Sequence, residues 1–438
     1  MNANVKITGL AYGGRGVGRI DGRVVFVPYT APGDEADVEI KRVKKNFSDG
    51  VLKCLHKPSE IRTEPACPVF GDCGGCALQH IRYSDQVLWK ENIFLETLKR
   101  IGGLELPQLD PPVPSQKDFY YRSKARFQIH GNIWGFFRAG TNRVVDIESC
   151  AIADPLINSA FTQIRGIFKE RFTSSRTLKS LQSLEIGVSS LDGRAIASFG
   201  LRGVERGFPW KIFLKEIEEL KGVEALITRP GARARVFTGG DLNLCYEAGG
   251  VKFHVPVGVF SQVNRPQNEA LIKTLIGWCG LRGGERVLEL FSGAGNFSLP
   301  LAMAGAEVLG VEASREAVRA ARGNAARNNI GPVEFIQAGA SVWLKENVKG
   351  LEKFSPHVVV LDPPRGGDID VAKVLAESGP EKIVYLSCSP PTMARDLSVL
   401  AAGGYGISRA CVFDLFPQTG HIEGMVLLER GGNEINRG

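Results

Sequence analysis

A cysteine, an aspartate and a glutamate near the end of the chain form a set that can do covalent chemistry. Cys388 follows Lys382-Ile383-Val384-Tyr385-Leu386-Ser387, whose apolar run reads as a buried strand. Pro390-Pro391 then forbid the strand from continuing. Asp362 ends a second apolar run, Val358-Val359-Val360-Leu361, and precedes Pro363-Pro364-Arg365. Glu423 closes Phe416-Pro417-Gln418-Thr419-Gly420-His421-Ile422 and leads into the strand-like Met425-Val426-Leu427-Leu428. The carboxyl ends of strands in an open α/β sheet are where ligands and reactive groups collect. A thiol there is either a small buried hydrophobe or a nucleophile. Two acids at the same edge favour the nucleophile, because one group can attack while another removes a proton.

A second constellation precedes this one. Val287-Leu288-Glu289-Leu290-Phe291-Ser292-Gly293-Ala294-Gly295-Asn296-Phe297 reads as a strand, a glycine turn and the start of a helix. Val308-Leu309-Gly310-Val311-Glu312 is the next strand and closes on an acid. Glycines let the backbone approach a nucleotide, and such an acid can take two ribose hydroxyls. Ser298 stands where a dinucleotide fingerprint needs its third glycine, so no pyrophosphate cradle is expected. The combination fits S-adenosylmethionine, and an ordinary tight βα turn is its alternative. A third constellation is Cys67, Cys73 and Cys76, spaced C-x5-C-x2-C, with Cys150 a candidate fourth ligand. Thiolates this close select zinc or an iron–sulfur cluster, and spacing alone does not separate the two.

These sites need three kinds of scaffold. Residues 1–57 show short apolar runs at Val5-Ile7, Val24-Val27 and Ala36-Ile40 between glycine-rich turns, as in a small β-barrel. Residues 58–250 read as an α+β domain carrying the cysteines. It has helices near 86–101, 155–171 and 211–221 and strands near 182–188, 194–200 and 224–228. The 86–101 helix is placed to pack on the last domain. Residues 251–438 alternate strand and helix, as a doubly wound, Rossmann-like sheet requires. Cys54, Cys245, Cys279 and Cys411 have no partner pattern and read as packing residues.

Composition bounds the setting. The 438 residues are 43% hydrophobic and 23% charged, ordinary for a soluble multi-domain chain. Residues 1–6 lack an apolar signal region, and no run of eighteen apolar residues occurs, so no membrane span is expected. Nine cysteines without a secretion signal point to a reducing, cytoplasmic setting. The net charge of +7 permits a polyanionic partner. Charge is concentrated: residues 1–57 hold ten Lys and Arg against six acids, including Lys44 and Lys45. Residues 117–143 hold six against one, among them Arg122, Lys124 and Arg126. Aromatics such as Phe127 interleave with these cations, as on a surface that binds single-stranded nucleic acid. A sheet with a basic outer and an aromatic inner face would show the same pattern.

Gly13-Gly14-Arg15-Gly16-Val17-Gly18-Arg19, Val25-Phe26-Val27-Pro28-Tyr29 and Pro32-Gly33-Asp34 resemble a TRAM domain, a small RNA-binding barrel. Nearly the whole chain resembles the 5-methyluridine RNA methyltransferases, especially the bacterial 23S rRNA enzymes with an iron–sulfur cluster. The likeness rests on the four cysteines, Phe260-Ser261-Gln262-Val263-Asn264, the Glu289–Phe297 turn, Asp362-Pro363-Pro364-Arg365, Ser387-Cys388 and Thr419-Gly420-His421-Ile422-Glu423. It implies methyl transfer from S-adenosylmethionine to uracil C5, with Cys388 as nucleophile and Glu423 as base. It implies cofactor contacts from Gln262, Phe291, Gly293, Gly295, Asn296, Glu312 and Asp362, and a [4Fe-4S] cluster on Cys67, Cys73, Cys76 and Cys150. The implied substrate is 23S rRNA, with tRNA as the alternative, and the implied state is a monomer. Two positions depart from the family pattern: Ala340 replaces a polar adenine contact, and Ser389-Pro390-Pro391 follows the nucleophile. An RNA-binding or assembly protein with a vestigial methyltransferase fold is the non-enzymatic alternative. Retention of Cys388, Glu423 and Asp362 together argues against it.

Overall fold

The structure, a computed structural model, describes residues 2–106, 109–172, 181–201, 215–216, 219–220, 223–228, 235–236, 242–347 and 354–431. The helix expected near 211–221 lies mostly outside these residues. The chain forms two compact units that are not contiguous in sequence. The first holds Met1–Trp89, Lys117–Cys245 and Phe416–Gly420; the second holds Lys90–Gln116, Tyr246–Leu415 and His421–Gly438. Barrel and central sheet thus share one unit, whereas the sequence divides them near residue 57.

In the first unit, strands β1 (Asn2–Ala11), β2 (Arg15–Ile20), β3 (Arg23–Val27), β4 (Glu35–Val43) and β5 (Phe47–Lys57) close into a barrel in the order β1-β2-β3-β5-β4. Alternation turns Val5, Ile7, Val25, Val27 and Val38 into its core. Helix α1 (Tyr83–Gly102) begins in this unit and continues into the second. The central sheet is built from β6 (Lys124–His130), β7 (Ile133–Phe137), β8 (Val144–Asp146), β9 (Leu181–Ser189), β10 (Arg194–Leu201), β11 (Val223–Thr228) and β12 (Arg235–Val236). Its order among the described residues is β12-β11-β10-β9-β6-β7-β8. Helix α2 (Pro155–Arg171) is started by Pro155 and capped by Asp154, whose carboxylate accepts from the Leu156 N–H at 2.9 Å. It buries Phe161, Ile164 and Phe168 against the sheet.

This packing corrects one candidate. Phe127 is fully buried and stacks on Phe161 with ring centroids 4.1 Å apart, so it is a core residue and not an RNA contact. Alternation along β6 sends Ala125, Phe127 and Ile129 inward and leaves Arg126 exposed. Arg122 and Lys124 are half-buried, while Lys44 and Lys45 are exposed. The rings that do reach solvent beside this basic surface are Tyr120 and Phe137. Cys54 is exposed, which corrects its reading as a packing residue; Cys245, Cys279 and Cys411 are buried.

The second unit carries the β13–β14 hairpin (Asn243–Ala248 and Val251–Pro256; the first three residues of β13 belong to the other unit) and helix α3 (Arg265–Cys279). Its sheet has β15 (Arg286–Leu290), β16 (Glu307–Glu312), β17 (Val333–Gln337), β18 (Val358–Leu361), β19 (Lys382–Ser387), β20 (Tyr405–Phe413) and β21 (Glu423–Arg430). The order is β17-β16-β15-β18-β19-β21-β20, with β21 antiparallel to both neighbours. The order reverses between β15 and β18, which makes their carboxyl ends the place for a ligand. Helices α4 (Ser298–Met303), α5 (Arg315–Arg327), α6 (Ala340–Glu346), α7 (Ile369–Ser378) and α8 (Pro390–Ala402) connect the strands. Within this unit α1 is pinned by a buried ion pair, Lys90 Nζ to Asp414 at 2.7 Å, and by Phe94, which lies against Gly424 of β21. No described helix is long and apolar enough to cross a membrane.

Candidate active site

Register brings the three reactive residues to one edge. Leu361 of β18 pairs with Tyr385 of β19, and Ser387 of β19 pairs with Gly424 of β21. Asp362 therefore follows the end of β18, Cys388 follows the end of β19, and Glu423 begins β21 at the same level. Pro390 opens α8, so the two prolines after Cys388 turn a strand into a helix, and Ser389-Pro390-Pro391 makes the required turn. The Ser389 N–H donates to Ser387 Oγ at 3.1 Å across that turn.

The electrostatics of this edge are unusual. Burial pushes the Cys388 thiol up to about 11; the Glu423 charge adds to this and the Arg365 guanidinium opposes it. Burial also drives Glu423 well above the ordinary carboxyl range, with Asp362 adding and Arg365 again opposing. Asp362 is raised to about 7 by burial. Arg365 is thus the cation that biases both thiol and base toward ionisation. Its guanidinium also lies 3.4 Å from His421 Nε2. The sequence contains Arg365 next to Asp362-Pro363-Pro364, but only the fold shows that it serves Cys388 and Glu423.

Beside this edge is a cleft lined by Tyr246, Phe260, Ser261, Gln262, Glu289, Phe291, Ser292, Gly293, Ala294, Asn296, Phe297 and Asp362. Of the sequence candidates, Gln262, Phe291, Gly293, Asn296 and Asp362 line it directly. Glu312 is fixed behind the turn: its two carboxylate oxygens accept from the Gly293 N–H at 3.0 Å and the Ser314 N–H at 2.7 Å. Gly295 shapes the turn rather than the wall; its φ is +87° and a Cβ there would press on Leu299 and Phe335. Asn296 exchanges two amide hydrogen bonds with Asn268 of α3, at 2.8 and 2.9 Å. Ala340 opens α6 and is buried, so it presents no polar group to a ligand.

Two features of the cleft have weak signals in the sequence. Glu289 is 1% exposed on an otherwise apolar strand, and burial, with Asp362 nearby, raises it to about 8 although the Ser298 hydroxyl donates to it. Its signal was an acid inside an apolar run. Arg265 stacks over Tyr246 at 3.4 Å to the ring centroid, and nothing local in the sequence announces that pair. Buried carboxyls favour a cationic ligand there. Ser261 Oγ and Ser292 Oγ, buried without partners, are ready to bind polar groups of a nucleoside. The donor set and charge of the cleft fit S-adenosylmethionine.

In the first unit the four candidate cysteines act on one another electrostatically. Burial pushes the thiols of Cys73 and Cys76 to about 11 and about 12, and the charges of Cys150 and Cys67 add to both shifts. Cys150 is likewise raised by burial and by Cys67. All four are free thiols, and the Gly75 N–H donates to Cys73 Sγ at 3.4 Å. Among the described residues no group of three or more His, Cys, Asp or Glu is set to hold a metal ion. In donor chemistry the four fit a thiolate-held centre.

The tRNA (uracil-5-)-methyltransferase family matches residues 96–431, and the TRAM domain family matches residues 3–53. The chain is 33% identical to the 23S rRNA (uracil(1939)-C(5))-methyltransferase RlmD of Neisseria lactamica, over 97% of this chain and 95% of that protein. It is 33% identical to an RNA methyltransferase of Synechocystis, over 97% of this chain and 94% of the relative. Among solved structures it is similar to Pyrococcus abyssi tRNA (uracil-54, C5)-methyltransferase in complex with S-adenosyl-L-homocysteine. That likeness has a TM-score of 0.76 and 27% identity, and covers 97% of this chain and 99% of the other.

Proposed function

We infer the reaction from one premise: the chain belongs to the tRNA (uracil-5-)-methyltransferase family. It is an S-adenosylmethionine-dependent RNA uracil-C5-methyltransferase with an N-terminal TRAM domain. Beyond this, we propose that it methylates C5 of a specific uridine in 23S rRNA through a covalent Cys388 adduct. The observation that supports the adduct is the meeting of Cys388, Glu423 and Asp362 at one sheet edge beside the cleft. Support for rRNA comes from the Neisseria relative, which matches over 97% of the chain.

Uracil C5 is too weak a nucleophile to take a methyl unaided. In our reading the Cys388 thiolate, favoured by Arg365, forms a bond to C6, and the C5=C6 π pair moves toward C5 and O4. Bound S-adenosylmethionine supplies an electrophilic methyl group. C5 takes that methyl as its S–CH3 bond breaks, leaving S-adenosylhomocysteine; Glu423 as carboxylate accepts the C5 proton, the S–C6 bond breaks and the C5=C6 double bond returns. Gln262, Phe291, Gly293, Asn296, Glu312 and Asp362 hold the nucleoside, with Gly295 shaping the turn. The base must leave its stack to reach Cys388, at about a few kcal/mol, least in unpaired RNA. Lys44, Lys45, Arg122, Lys124 and Arg126 are the cations we assign to the RNA backbone. Tyr120 and Phe137 take the stacking role first given to Phe127. We assign Cys67, Cys73, Cys76 and Cys150 to a [4Fe-4S] cluster that cross-links four points of the first unit.

A second reading, tRNA as substrate, is favoured by the likeness to the Pyrococcus enzyme. The test is methyl transfer to 23S rRNA and to bulk tRNA, each from cells lacking this gene, followed by nucleoside mass spectrometry. 5-Methyluridine in rRNA is the expected outcome. 5-Methyluridine in tRNA alone would keep the chemistry and overturn the substrate.

A further inference from the structure

The loop Arg365-Gly366-Gly367-Asp368 lies between the end of β18 and the start of α7, and it carries the guanidinium that faces Cys388. Arg365 donates a hydrogen bond to the Cys388 thiol, and its Nη2 lies 3.4 Å from His421 Nε2. Nothing in the composition of the loop fixes it. Two glycines in a row leave the backbone free, and Gly367 stands at φ +64°.

Helix α8 supplies what the loop lacks. The Thr392 hydroxyl lies 3.0 Å from the Arg365 carbonyl and 3.0 Å from that of Ser389, the residue after Cys388. Arg395 Nη2 donates to the Gly366 carbonyl at 3.0 Å. Asp396 is fully buried. One of its carboxylate oxygens accepts from the Asp368 N–H at 2.9 Å and from Tyr385 Oη of β19 at 2.8 Å. The other accepts from Arg395 Nε at 2.8 Å and Nη2 at 2.6 Å. A Cβ on Gly367 would collide with the Asp396 carboxylate, so the loop passes directly over it. Thr392, Arg395 and Asp396 therefore hold the loop residue by residue, and all of these partners lie in the second unit.

We propose that Asp396 and Thr392 are positioning residues for Arg365: they fasten its loop to the helix that begins just after Cys388, so that the guanidinium and the nucleophilic thiol share one support. This rests on the reading of Cys388 as nucleophile. Charged groups face the thiol from three places: Glu423 opens β21, Asp362 follows β18, and Arg365 lies in the loop. The two acids oppose ionisation of the thiol and Arg365 favours it. A guanidinium stabilises a thiolate most at hydrogen-bond range, and a loop free to drift gives much of that up to solvent.

The test is alkylation of Cys388 by iodoacetamide in the full-length protein with its native cofactors, read by peptide mass spectrometry from about pH 7 to about pH 9. The reagent is neutral and the thiolate is the reacting form, so in this range the rate follows the thiolate fraction. Asp396→Asn can keep the Asp368 and Tyr385 bonds on its one oxygen and turns an NH2 toward Arg395, which releases Gly366 without emptying the site. It should slow alkylation about tenfold at each pH, the equivalent of one pKa unit. Loss of a negative charge would by itself speed the reaction, so slowing reports displacement of Arg365. Thr392→Val frees the Arg365 carbonyl, should slow alkylation roughly threefold, and guards against a folding failure of the first variant. Arg365→Met is the reference and should slow it at least as much as Asp396→Asn. If it does while neither of the other variants slows the reaction, the positioning role is overturned. If Arg365→Met changes nothing, the cation does not govern the thiol and this inference fails with it. Turnover, measured alongside, separates this from the reading it rests on: slower alkylation with unchanged turnover keeps the positioning role and removes Cys388 as nucleophile.

Discussion

The carboxyl edge of the second unit's sheet and the cysteine loop of the first both gather side chains that are distant in sequence, by different means. At the sheet edge, apolar strands in fixed register meet at one level: Asp362 and Cys388 directly follow β18 and β19, and Glu423 opens the antiparallel β21. In the cysteine loop no ladder sets the level. Cys67, Cys73 and Cys76 hang on a short turn, Phe70 N–H to the Cys67 carbonyl at 3.0 Å, and on a tie to β7, Gly74 N–H to the Phe137 carbonyl at 2.9 Å. The first arrangement stands without the groups it presents. The second, in our reading, needs what it binds.

The largest effect that would sharpen this contrast is Cys388→Ala. The strand scaffold does not depend on the thiol, so turnover should vanish while S-adenosylmethionine affinity and melting temperature stay near wild type. Residual turnover at the wild-type level would remove the covalent mechanism. Cys73→Ser probes the other region and should do the reverse. On the proposal of a cluster there, the expected result is loss of its brown colour and of RNA affinity, with protease sensitivity rising in the first unit and S-adenosylmethionine affinity unchanged. A protein that keeps its melting temperature and RNA affinity after this change would show the loop to be self-supporting.

The same contrast explains what was legible. The periodicity over 155–171 matched α2 to the residue, and the expected strands near 182–188, 194–200 and 224–228 are β9, β10 and β11, because apolar period and turn residues are local signals. Asp362, Cys388 and Glu423 were legible for the same reason: each abuts an apolar run. Phe127 was not. Alternation says that one face of β6 is buried, but only α2 decides which, and α2 lies outside the strand's own sequence. Arg365 was visible as a residue and not as a role, since its effect on Cys388 depends on how β18 and β19 are aligned. The membership of Phe416–Gly420 in the first unit has no compositional trace. It is decided by Gln86 and Gln418, more than three hundred residues apart.

The smallest expected effect divides the two regions by pH. In the second unit Glu289 is held at about 8 by burial, against 4.5 when free. The folded state keeps a proton there that the unfolded chain releases, so this contribution to stability is whole below pH 4.5 and is lost as pH rises to about 8. In the first unit His80 runs the other way. Its ring is 3% exposed, and burial lowers it from 6.5 to about 4 although a backbone hydrogen bond at Thr30 opposes the shift. Folding excludes a proton that the unfolded chain binds, so stability is lost as pH falls from 6.5 toward 4. Melting temperature against pH should therefore rise on the acid limb and fall toward pH 8. Glu289→Gln should flatten only the falling limb, and in part, since Asp362 also titrates there, at about 7. His80→Gln should flatten only the rising one. S-Adenosylmethionine should lessen the falling limb more than neutral S-adenosylhomocysteine, because a cation in the cleft favours the ionised carboxyls. If Glu289→Gln leaves that limb unchanged, the buried carboxyl is not what couples the cleft to pH, and the acidic cleft ceases to account for cation preference.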